Sequence, residues 1–124
     1  MDKASVAIPY LTITNVDVGR KSTRIDFEYT PPEGQPRRVG VHPPGHDGAF
    51  SIQSIDRSRK YALTGIRGIA TLPDRTDVKG GEKRRFALTF EAIPDDMWEF
   101  HVGEGTYSPD AGETTWQFLN AKLN

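Results

Sequence analysis

Phe86-Ala87-Leu88-Thr89-Phe90-Glu91 is the stretch that decides the fold class. Its alternation has a period of two, and the same pattern returns in Trp98-Glu99-Phe100-His101-Val102 after a Pro-Asp-Asp turn. That period belongs to half-buried strands, with one face on a core and the other in solvent. Nothing between the two runs reads as a crossover helix, so the strands are expected to pair antiparallel in an all-β scaffold.

Working outward, Ile25, Phe27 and Tyr29 alternate with Arg24, Asp26 and Glu28 as a clean strand in the first half. Between Tyr10 and Val18, the pairs Leu11/Ile13 and Val16/Val18 fall in different phases. A slip at Thr14-Asn15 therefore predicts a bulge. Thr30-Pro31-Pro32-Glu33-Gly34 ends the Ile25–Tyr29 strand, since proline lacks the backbone donor and fixes φ. Val39 and Val41 predict a short strand, stopped by His42-Pro43-Pro44-Gly45-His46-Asp47-Gly48. Phe50–Ile55 resumes, and Asp56-Arg57-Ser58-Arg59 reads as a hairpin turn into Lys60–Thr64. Gly65–Leu72 is expected to be a loop with a short edge strand, and Pro73–Glu82 a polar connection. Thr115–Leu123 closes the chain as a strand. About eight strands and turns every eight to fifteen residues predict a sandwich of seven to nine strands, with a small β-barrel or jelly roll as the alternative.

The bulk composition agrees. The 124 residues suit one domain, 1–124, and 35% hydrophobic residues suit two thin sheets with wet outer faces. Nine prolines and twelve glycines supply many turns. With no cysteine, disulfides, thiolate nucleophiles and cysteine-based zinc sites are excluded. A net charge of −1 lacks the basic excess of a nucleic-acid binder, so none is expected. Behind it lies a gradient, 15 Lys/Arg against 10 Asp/Glu in residues 1–90 and one against seven in 91–124. Met1-Asp2-Lys3-Ala4-Ser5-Val6 lacks the apolar run of a signal peptide, and no stretch has a membrane-spanning length. With Met1 native, the cytoplasm is the expected compartment and no membrane is a partner.

The chain resembles small bacterial immunoglobulin-like β-sandwich domains of uncharacterised function. The segments carrying the likeness are Lys60-Tyr61-Ala62-Leu63 with Gly68-Ile69, Phe86 to Pro94, Phe100-His101-Val102-Gly103-Glu104-Gly105 and Thr115-Trp116-Gln117-Phe118, about two-thirds of the chain. The antibody-type cysteine pair is absent. The resemblance implies the fold and a generic binding role, while an activity belongs to a site.

Several constellations could carry chemistry. His42, His46 and Asp47 share one Pro/Gly-rich loop and, with His101, would offer three imidazoles and a carboxylate to a divalent metal. The spacing is not helical, and the expected state is exposed loop histidines without metal. Asp95, Asp96, Glu99, Glu104, Asp110 and Glu113 form an acidic cluster, but Asp95-Asp96 suits a turn and there is no calcium-loop run. Trp98 and Trp116 fall in phase with Phe100 and Phe118 and are expected in the core, whereas Tyr107 in a polar loop suits surface recognition. Arg37-Arg38, Arg57-Arg59-Lys60 and Lys83-Arg84-Arg85 suit phosphate or carboxylate partners, but sit at turns where charge protects strand edges. Neither a phosphate loop nor a nucleophile elbow is present.

The expectation is thus a non-catalytic module, without cofactor, that meets another protein. Contact would come through the loops His42–Gly48 and Gly103–Thr114 or along an edge strand, with His42, His46, Asp47, Glu104, Tyr107 and Asp110 as binding residues. Its oligomeric state is open. Carbohydrate recognition by an aromatic and carboxylate surface, favoured if a tryptophan is exposed, is the alternative. A small metal-dependent enzyme using the loop histidines is the third reading.

Overall fold

Alternating side chains make strands only where neighbouring strands bury the apolar face, and register shows where that happens. The computed structural model describes residues 11–104 in full and, as strands, Asp2–Ser5 and Leu119–Lys122. In chain order the strands are β1 (Asp2–Ser5), β2 (Leu11–Val18), β3 (Ser22–Tyr29), β4 (Arg37–Val39), β5 (Phe50–Ser54), β6 (Lys60–Arg67), β7 (Thr76–Val78), β8 (Arg84–Glu91), β9 (Glu99–Glu104) and β10 (Leu119–Lys122). The protein is all-β, with no helix among the described residues.

One curled antiparallel sheet runs in the order β1-β10-β9-β5-β6-β8-β3-β2, and β4 and β7 form a small second sheet. The sheet turns a corner on β6. Its first half pairs with β5 (Ile52 opposite Tyr61), and its second half with β8 (Ile66 opposite Leu88). A register shift between Leu63 and Gly65 marks the change of partner. An extra residue at that point restores the inward phase after the bend, so Leu63 and Ile66, three apart, both pack on the core. Gly65–Arg67 is therefore interior strand, where a loop with a short edge strand was expected. The predicted bulge in β2 is present, as a register shift between Ile13 and Asn15.

The core follows from the phases. Ile25 and Phe27 of β3, Leu88 and Phe90 of β8, Phe50 and Ile52 of β5, and Phe100 and Val102 of β9 are all at most 1% exposed. Phe27 lies at its centre, stacked on Phe86 with ring centroids 5.1 Å apart and tilted against Phe50 at 5.8 Å. β7 falls within Pro73–Glu82, a stretch expected to be a polar connection. Its Val78, 1% exposed, carries that segment into the core. β1, also unforeseen, pairs with β10 at the outer edge. No helix among the described residues is long and apolar enough to cross a membrane.

Candidate functional site

Register places the two ends of the β5–β9 pair far apart in character. Phe50 stands opposite Glu104, and Ser54 opposite Phe100. The His42–Gly48 loop therefore enters the sheet beside the end of β9. The opposite end carries the β5–β6 turn and the loop between β8 and β9.

The histidine end is a tightly folded loop. His46 N–H donates to Pro43 O at 3.2 Å, and Ala49 N–H to His46 O at 3.0 Å, so the loop makes two successive turns. The His42 and His46 rings stack 4.0 Å apart and 3° from parallel. Gly48 allows it, since a Cβ there would lie 2.8 Å from His42 Cδ2. Gly48 N–H donates to His46 Nδ1 at 2.9 Å, which puts the proton of neutral His46 on Nε2 and occupies the lone pair a general base at Nδ1 would need. Partial burial, and then the adjacent His46, push the His42 pKa down.

This arrangement does not chelate a metal. Imidazole lone pairs lie in the ring plane, and two parallel stacked planes do not converge on one ion. Asp47 and His46 line a hollow of about 500 Å³ together with Ser51 and Lys60. His101 instead sits opposite Gln53 within β9. Among the described residues, no group of three or more His, Cys, Asp or Glu is placed to hold a metal ion. Glu104 ends β9, while Tyr107, Asp110, Glu113 and Trp116 lie outside the described residues.

At the other end the structure overturns one expectation. Trp98 is 54% exposed, and with Ile55 at 42% it is one of two large hydrophobic side chains left in solvent among the described residues. The reason is local. Met97 N–H donates to Pro94 O at 3.0 Å, closing a turn over Pro94–Met97, and β9 begins only at Glu99. The alternation thus does not reach back to Trp98. Met97, 6% exposed, fills the core position, and the indole faces out.

Ile55 is presented by an equally definite turn. Ser54 N–H donates to Arg59 O at 3.0 Å, and Arg57 N–H to Ser54 O at 2.8 Å. The Asp56 carboxylate accepts from Ser54 Oγ at 2.7 Å, Ser58 N at 3.0 Å and Ser58 Oγ at 2.7 Å. Those bonds, the Ser54 hydroxyl first, lower the Asp56 pKa to about 2. Ile55 and Trp98 flank a hollow of about 340 Å³ whose other walls include Asp56, Arg59, Asp96 and Glu99. An apolar pair with a charged rim is the composition of an interface anchor.

Of the basic clusters, Arg37-Arg38 lies on the short strand β4, whereas Arg84 and Arg85 lie on β8, which is paired on both sides. Arg38 of β4 pairs with Asp77 of β7 at 3.1 Å, both largely in solvent, and such exposed pairs contribute little, roughly 0–1 kcal/mol. Sequence reasoning missed Ile55 because it counted as the end of a strand. It misplaced Trp98 because the phase of Phe100 was carried back past the start of β9, to the residue that follows the Pro94–Met97 turn.

Comparison with known protein families, with characterised proteins and with solved structures finds no match for this chain.

Proposed function

We propose that this chain is a non-catalytic, immunoglobulin-like module that binds another protein through the face built on Ile55 and Trp98. The exposed indole beside an exposed isoleucine carries the reading. Interface hot spots are enriched in Trp and Arg, and here Trp98 and Arg59 line one hollow with Asp56, Asp96 and Glu99. The two turns that hold this pair are hydrogen-bonded before any partner arrives, which lowers the ordering cost of association.

Strand order supports the immunoglobulin-like part of the reading. β2-β3-β8-β6 adjoin as A-B-E-D of a constant-type sandwich, and β10-β9-β5 adjoin as G-F-C. In that scheme the binding face lies at the end bearing the C–D and E–F connections, away from the His42–Gly48 loop. A second reading rests on the same observation, because an exposed indole near Asp96 and Glu99 also suits stacking on a sugar ring.

The test is capture of partners from source lysate by parent, Trp98→Ala and Ile55→Ala proteins, followed by affinity measurement with the purified partner. Each substitution is expected to weaken a partner by about 2 kcal/mol, or some thirtyfold, if it is a hot spot. Equal affinity for all three proteins overturns the assignment. Loss of oligosaccharide binding in Trp98→Ala, with no protein partner affected, moves the reading to carbohydrate.

A further inference from the structure

The outward face of β6, β8 and β3 carries a trough, separate from the Ile55–Trp98 face. Its plan follows from register. Arg67 of β6 stands opposite Ala87 of β8, and Ala87 opposite Asp26 of β3. In the next row Arg85 opposes Glu28, and in the row on the other side Thr89 lies between Gly65 and Arg24. Ala87 is the low point, a methyl group among long side chains. Arg67 flanks it across the strands, Arg85 along its own strand, and Arg24 on the diagonal. The result is a hollow of about 520 Å³, lined by Thr14, Arg24, Asp26, Arg67, Arg85 and Ala87 among others.

Two of the three guanidiniums are oriented by carboxylates and retain donors. Arg24 Nε donates to Asp26 Oδ1 at 2.9 Å, and Arg85 Nε to Glu28 Oε2 at 3.2 Å. Both contacts use Nε, which leaves the terminal Nη groups of each fork. The Arg67 guanidinium has no hydrogen bond or ion pair among the described residues. Three cations against Asp26 and Glu28 leave the trough with one positive charge in excess.

We propose that this trough binds the phosphoryl group of a small phosphate ester, with Arg67 as its first ligand and the Nη ends of Arg24 and Arg85 beside it. One guanidinium fork satisfies both oxygens of a carboxylate. Guanidiniums on three sides of a single small residue match the three terminal oxygens of a phosphate monoester. The volume leaves space for the ester's organic part over Ala87.

The experiment is calorimetric titration of the full chain with phenyl phosphate, and with benzoate as the carboxylate comparator, at low and high NaCl. Saturable phenyl phosphate binding that weakens with salt is expected, with benzoate at least tenfold weaker. Arg67→Gln should weaken phenyl phosphate about tenfold or more, the loss of a hydrogen bond to a charged group. Ala87→Leu, which fills the trough without changing charge, should do likewise. Arg38→Gln, which removes an equal charge elsewhere, should bind as the parent does. The proposal is overturned if the parent shows no saturable binding, if benzoate binds as well as phenyl phosphate, or if Arg67→Gln binds as the parent does. It also fails if the loss in Arg38→Gln equals that in Arg67→Gln. Thermal melts establish that each variant is folded; should Ala87→Leu not fold, Arg67→Gln decides.

Discussion

Substituting Gly80 by alanine should damage this protein far more than the same change at Gly34, although Gly34 has the positive φ. Gly34 has φ 76° and nothing within 4 Å of where a Cβ would stand. Its substitution costs only backbone strain, about 1 kcal/mol. A Cβ on Gly80 would lie 2.5 Å from Pro32 O, 2.6 Å from Gly34 N and 2.7 Å from Gln35 N. All three are backbone atoms, well inside the contact optimum of about 3.5–4.0 Å, so no side chain can swing aside to relieve them. The Lys79–Glu82 turn must instead lift from the Pro31–Gln35 turn. That movement puts at risk the bond from Gly81 N–H to Pro31 O at 2.8 Å. Overpacking of about 1–3 kcal/mol and a lost hydrogen bond of about 1 kcal/mol sum to roughly 3 kcal/mol. For a chain of this size that is about 12 °C in Tm, at some 4 °C per kcal/mol. Urea denaturation followed by tryptophan fluorescence and far-ultraviolet circular dichroism reads the difference directly. Should Gly80→Ala prove no less stable than Gly34→Ala, the packing of these two turns is not as described.

Two further outcomes concern pH. The His42 pKa is lowered in the folded protein, so the unfolded chain takes up that proton first as pH falls through about 6.5. Its contribution to stability is present above that value and lost as pH falls towards the folded pKa. Melts between pH 7.5 and 5.5 should show this decline, and in His42→Gln the slope should shrink; an unchanged slope refutes it. Asp56, with its pKa near 2, should still be ionised in the native state at pH 3, where an unperturbed carboxyl is mostly protonated. Its contribution is present above the ordinary aspartate value and lost as pH falls towards 2. Carbon-detected NMR titration of the side-chain carboxyl checks this, and a midpoint near 4 would mean the Ser54 and Ser58 bonds do not form.

The parts of the fold written in local alternation were legible in the sequence. β3 and β8 follow from their own phases, and the bulge in β2 from the slip between Ile13 and Val16. The hairpin turn at Asp56–Arg59 was legible too, because its Asx and serine chemistry is local. What was hidden depends on pairing with distant strands. The bulge in β6 puts Leu63 and Ile66 on the same face three residues apart, a spacing that imitates a loop until β8 is set beside it. β7 has a single core residue, Val78, too little to produce a pattern. Trp98 was misplaced because it precedes the first residue of β9, just after the Pro94–Met97 turn, where the alternation of the strand does not hold. The arginine trough joins positions 24, 67 and 85, which no linear motif connects. Its one sequence signal was the small Ala87, standing in the outward phase between Arg85 and Thr89.

Sharing β6 between the two halves of the sheet also bears on how the chain resists proteolysis. A protease needs a segment freed from its neighbours by local opening. Detaching β5 strips one half of β6, and detaching β8 strips the other, so opening either half weakens both. The lowest-energy openings then fall to the β4–β7 pair, three residues long on each side and hydrogen-bonded outside that sheet. Nicks should therefore appear first between Gly34 and Gly40 or around Arg75, and the fragments should stay associated until the shared strand itself gives way.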